Sequence, residues 1–218
     1  MAENLEHPIA DQVLIEWGFG LLWVLASTAG LGMGWLAGTL VSLEVSAEGA
    51  IAALTVAVAG WAVGGALLGA AQWYVLRGRT SRAGWWVLAS SPSFGLGMVG
   101  GTYVAGLLSG LLSWAVWGGL WGAMLGAAQW YVLRGRTSRA GWWVLASTVG
   151  AGTCGTVLGA LYQAGVEGAN LFLGGALFGA ITGAALVWLL RQPLAPRSEA
   201  AVSSKGGDHG RERRAGQS

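Results

Sequence analysis

Apolar and polar positions along this chain fall into blocks. Six stretches of about twenty residues carry no charged side chain, and the charged residues collect in short segments between them and at the two ends. About 20 apolar residues wound as a helix cross a hydrocarbon core. The pattern therefore predicts an all-α polytopic membrane protein with six transmembrane helices. The even-numbered spans are expected at 57–76, 114–133 and 171–190, each followed by an arginine (Arg77, Arg134, Arg191). The odd-numbered spans are expected at 17–41, 85–108 and 142–161. Around them stand a polar N-terminal segment (1–16) and a polar, Gly/Ser-rich tail (192–218) that is expected to be disordered and cytoplasmic.

The blocks are copies of one another. Residues 65–90 and 122–147 agree at 25 of 26 positions at an offset of 57, the one change being Leu67 to Met124. A fainter third copy follows at the same offset, with 183–191 set against 126–134. A long fixed period marks a duplicated structural unit. The transmembrane domain, 17–191, thus reads as three tandem helical hairpins at about 17–77, 85–134 and 142–191. A shared Val-Leu-Ala-Ser string begins at Val24, Val87 and Val144 and marks the start of each odd span.

Charge orients the hairpins. With six spans, all 12 Lys and Arg residues fall on one side, and the opposite loops hold only Glu44, Glu48 and Glu167. Basic residues in short loops stay cytoplasmic. Both termini are therefore expected in the cytoplasm and the protein in the plasma membrane. The N-terminal segment carries Glu3, Glu6, Asp11 and Glu16 but no basic residue, so the first span lacks an orienting charge of its own. A five-span arrangement with an external N-terminus is the alternative.

Composition supports a lipid setting. Charged residues make up 10% of the chain against about 25% in a soluble domain, so a water-facing surface cannot be covered. The 39 glycines would weaken soluble helices, at about 1 kcal/mol each, but between membrane helices they allow close backbone approach. They form four-residue rows, Gly118, Gly122, Gly126 and Gly175, Gly179, Gly183 among them, with Gly30, Gly34, Gly38 as a third. Such a row lies along one helical face. Packing within the bundle is the expected use, and self-association through an outward row is the alternative.

At the cytoplasmic boundary the repeat places Arg77, Arg79 and Arg82, with their copies Arg134, Arg136 and Arg139, in two cationic turns. These are candidate contacts for anionic lipid phosphates as well as topology signals. Trp73, Trp85 and Trp86, with Trp130, Trp142 and Trp143, flank the turns and are expected as interface anchors, ring in the apolar layer and N–H toward water. Pro92, in Ser90-Ser91-Pro92-Ser93, is expected to kink the third span.

The chemistry-bearing residues are sparse. No Asp, Glu, Lys, Arg or His lies in the middle of a span, the histidines are His7 and His209, and Cys154 is the one cysteine. Neither a proton relay, paired haem ligation nor a Cys-pair metal site can be assembled from these. No cofactor, metal, nucleic acid or catalytic residue is expected, and the chain is read as a non-enzyme. It would act through helix packing, contact with the lipid bilayer, or association with a copy of itself or another membrane protein. The competing class is a transporter or channel for a small neutral solute or lipid, favoured by mid-span Thr102, Thr153, Thr156 and Thr182.

The linked motifs Gln-Trp-x-x-Leu-Arg and Trp-Trp-Val-Leu-Ala-Ser resemble a repeat of uncharacterised multi-pass bacterial membrane proteins, cyanobacterial ones above all. Gln72, Trp73, Leu76, Arg77, Trp85 and Trp86, and their copies from Gln129 to Trp143, carry the resemblance. It implies a membrane location and a bacterial origin and no particular chemistry.

Overall fold

Apolar runs without strand alternation, punctuated by short polar turns, fold here as six helices. The computed structural model describes residues 7–44, 49–79, 83–166 and 170–192. In order the helices are α1 (His7–Glu44), α2 (Ala50–Leu76), α3 (Gly84–Ala105), α4 (Gly110–Leu133), α5 (Trp142–Gln163) and α6 (Asn170–Leu190). Among the described residues there is no strand, only an isolated bridge between Arg134 and Thr137. The tail from 193 onward, Arg82, Glu48 and Glu167 lie outside the described residues.

Five of the six helices are long and apolar enough to cross a membrane, which makes this an all-helical, multi-pass membrane protein. The exception falls short of the expectation of six transmembrane helices. It is α3, whose apolar run is interrupted by Ser90, Ser91, Pro92 and Ser93. The helix nonetheless runs unbroken through Pro92. Its serine hydroxyls turn onto backbone carbonyls, Ser90 donating to Trp86 at 2.7 Å and Ser91 to Ala62 of α2 at 2.9 Å. At the N-terminus the helix begins ten residues earlier than the expected start of the first span, at His7. Pro8 falls in that first turn, where a missing N–H costs nothing.

Each helix packs on its two neighbours in chain order, and α6 closes on α1, giving a ring. Every seam is antiparallel. Gly30 faces Leu68 and Gly34 faces Gly64 between α1 and α2, and Gly118 faces Ala151 while Gly126 faces Val144 between α4 and α5. In the closing seam Gly175 faces Thr28 and Gly179 faces Val24.

All three glycine rows thus point at a neighbouring helix. A Cβ placed on Gly34 would lie 2.5 Å from the Gly64 carbonyl oxygen, and one on Gly118 would run into the Ala151 carbonyl. The burial of apolar area cannot draw helices together in lipid, so close backbone contact takes over that role.

Candidate functional site

The centre of the ring is closed by side chains from helices that are not neighbours. Trp23 of α1, Trp86 of α3 and Trp143 of α5 meet as a triangle, with ring centroids 5.5 to 5.9 Å apart and edges turned to faces. All three are buried. This corrects the assignment of Trp86 and Trp143 to the membrane interface. Consecutive helical residues point about 100° apart, so Trp85 and Trp142 take the outward face, 62% and 55% exposed, and their partners turn to the axis. Trp73 and Trp130 are partly buried against the same inner cluster.

An indole N–H away from water needs an acceptor. Trp86 donates to Gln72 Oε1 at 2.9 Å, and its copy Trp143 donates to Gln129 Oε1 at 3.0 Å. The amide nitrogens continue outward: Gln72 donates to Ser27 at 3.1 Å and Gln129 to Ser90 at 2.9 Å. Each glutamine therefore bonds the serine of its own hairpin and the tryptophan of the next, tying its unit to the one after it. Gln129 also reaches Gln72 Oε1 at 3.3 Å, linking the two chains of bonds.

The third unit departs from this plan. The offset of 57 carries Gln129 to Leu186 and Leu125 to Thr182, so the polar residue moves one turn along the helix. Trp23 accordingly donates to Thr182 Oγ1 at 3.0 Å. Ser147, which a glutamine at 186 would meet, has a buried hydroxyl with no hydrogen-bond partner among the described residues.

Below the triangle the arginine turns form the rim of one end. Arg77 lies over the Tyr74 ring at 3.8 Å and Arg134 over Tyr131 at 3.5 Å, the same contact in both copies. Arg79 covers Phe19 of α1 at 3.9 Å, and Arg139 sits 5.7 Å from the Trp188 ring of α6. Arg191 pairs with Glu16 across the α6–α1 seam. A guanidinium stacked by its face keeps in-plane N–H groups for other acceptors, and that fork matches a phosphate. Arg136 belongs to the same turn, and Arg82 lies outside the described residues.

Above the triangle a second aromatic layer fills the axis. Phe94, Trp121 and Phe178 touch in sequence at 5.3 Å centroid separations. Three of the four threonines that suggested a lumen bond to their own helices: Thr102 to Met98, Thr156 to Gly152 and Thr182 to Phe178, each donating at 2.7 to 2.8 Å. The far end holds an open space, a cavity of about 380 Å³ among α1, α2, α3 and α4.

Sequence reasoning placed the arginines and the glycine rows and missed the tryptophan triangle and its glutamines. A signal for the triangle was present. Tryptophan precedes Val-Leu-Ala-Ser in all three copies, whereas the outward position of the pair is Leu22 in the first. Among the described residues no group of His, Cys, Asp and Glu could hold a metal ion. The chain matches no protein family, no characterised protein and no solved structure, so the arrangement is read from its own residues.

Proposed function

We propose that the chain is a six-span protein of a bacterial plasma membrane, both termini cytoplasmic, that performs no chemistry and acts as a sealed helical ring holding anionic lipid at its cytoplasmic rim. The observation that carries this reading is the collar of aromatic-stacked arginines at a single end of the ring. Each basic group near an anionic leaflet contributes about 1 kcal/mol of attraction. The antiparallel order supports a sixth span. Helices α2 and α4 run in the same direction with α3 packed between them, which favours α3 returning through the layer that both cross. The stacked aromatic layers favour a packed bundle over a conduit for a neutral solute or lipid. Association with a membrane partner or a second copy would use the outer helix faces.

The test replaces Arg77, Arg79, Arg82, Arg134, Arg136 and Arg139 by glutamine and reads topology and bound lipid together. In the parent protein, cysteines introduced at 80 and 137 stay protected from an impermeant reagent in intact cells, and those at 46 and 167 react. The glutamine variant is expected to insert in mixed orientation and to lose co-purified anionic lipid. Identical lipid and identical insertion would overturn the reading. Release of small neutral solutes from liposomes faster than from empty vesicles would make the protein a conduit instead.

A further inference from the structure

The end opposite the arginine collar is built for a different charge. Four tryptophans from three helices converge on its cavity: Trp35 of α1, Trp61 of α2, and Trp114 and Trp117 of α4. Trp35 holds Trp61 and Trp117 edge to face, at 5.1 and 5.7 Å, and Trp114 packs on Trp117 at 6.0 Å, so each ring is braced by another. The polar lining comes from Thr102 and Ser113, and both hydroxyl protons are already committed. Thr102 donates to the Met98 carbonyl at 2.8 Å and Ser113 to the Ala105 carbonyl at 3.0 Å. What these oxygens turn outward is lone pairs. Indole faces carry the negative side of the ring quadrupole, so faces turned to this space would join those lone pairs in an electron-rich lining.

The surrounding charge agrees. The described residues at this end, 49–56, 105–113 and 162–166, hold no Lys or Arg; α1 ends on Glu44, and the sequence joining α1 to α2 and α5 to α6 adds Glu48 and Glu167 and no basic residue. A field of one sign over an apolar opening concentrates counter-ions at it. Anionic ligands are disfavoured by both features, and a neutral solute gains nothing from the second.

We propose that this cavity is a binding site for a small organic cation of the methylated-ammonium class, held over the faces of Trp35, Trp61, Trp114 and Trp117. A quaternary ammonium has no N–H to satisfy and spreads its charge over methyl groups, which suits rings and lone pairs without a carboxylate in contact. At about 380 Å³ the space lies at the lower end of small-ligand pockets, in keeping with a compact headgroup. The site is at the other end of the ring from the lipid collar and does not rest on it. Under the proposed orientation it faces the outside of the cell.

The experiment titrates choline into the full-length protein purified in a maltoside detergent, following tryptophan fluorescence and heat. The uncharged isostere 3,3-dimethylbutan-1-ol is titrated in parallel. Choline is expected to bind saturably and at least tenfold more tightly than the alcohol. Trp61→Leu should weaken choline tenfold or more and Trp61→Phe only a fewfold, while Trp85→Leu at the opposite end leaves it unchanged. Absence of saturable choline binding, or equal binding of the alcohol, would overturn the proposal. Should Trp61→Leu fail to fold, the comparison of choline with the alcohol on the parent protein decides alone.

Discussion

The seam between α4 and α5 and the seam between α6 and α1 do the same job with different residues. The first is joined by a turn, packs Gly118, Gly122 and Gly126 onto α5, and is bonded by Trp143 to Gln129. The second has no covalent link between its helices at the arginine end. It packs Gly175, Gly179 and Gly183 onto α1, bonds Trp23 to Thr182, and is clasped at the rim by Glu16 and Arg191. Its outer face leaves a groove of about 510 Å³, floored by Gly20, Gly183 and Ala184. The repeated seam fits more closely than the diverged one. Ring closure therefore needs the shape of the repeat and the three central tryptophans, and it tolerates a different hydrogen-bond partner.

Glycine replacement strains this comparison hardest. A Cβ on Gly122 would strike the Ala151 side chain and the Ser147 carbonyl, neither of which can swing away. On Gly179 the nearest atoms are Val24 Cα at 2.9 Å and Ser27 Cβ at 3.0 Å. Gly122→Leu is expected to cost more than about 3 kcal/mol and to abolish a cooperative melt in detergent, because overpacking here meets backbone. Gly179→Leu should destabilise less, and Val187→Leu, beside the groove, should be nearly silent. Equal melting of all three would mean that the glycine rows do not set the helix spacing. Loss of an oligomer with the fold intact would place a row on the outside.

The hydrogen-bond plan gives a middle-sized effect that can be moved between seams. Gln129→Leu strands the Trp143 N–H inside the bundle, at a cost of about 1–3 kcal/mol. Adding Leu125→Thr copies the third unit, with its hydroxyl one turn along, and should recover at least half of that loss. The reverse change, Leu186→Gln, offers the buried Ser147 hydroxyl a partner and should stabilise by about 0.5–1 kcal/mol. Thermal melting of the four proteins checks all of this. Failure of the second substitution to rescue the first would show that Trp23 and Trp143 are held differently.

These seams also mark what could be read from the chain. Hairpin order, helix positions and glycine faces were legible because a period of 57 and a spacing of four are local patterns. Ring closure was not, because nothing near Gly179 names Val24 as its neighbour. The tryptophan pairs misled for a physical reason. Trp85 and Trp86 have the same chemistry and adjacent positions, and only the helical phase, fixed by packing, sends one to lipid and the other to the axis. Gln72 lies little more than a turn before the boundary Arg77, yet the same phase buries it.

The smallest expected effect is at the rim of the diverged seam. Glu16 and Arg191 form a two-point ion pair, but the side chains are 38% and 58% exposed, so water and salt screen them. Exposed pairs of this kind contribute about 0–1 kcal/mol. Glu16→Gln and Arg191→Gln are each expected to lower melting by no more than that. The double variant should match the worse single one, since either change already removes the pair. The loss should shrink as salt rises, because the Debye length falls to about 3 Å at 1 M. A penalty well above 1 kcal/mol that persists in high salt would show that the clasp, rather than the tryptophans and glycines behind it, closes the ring.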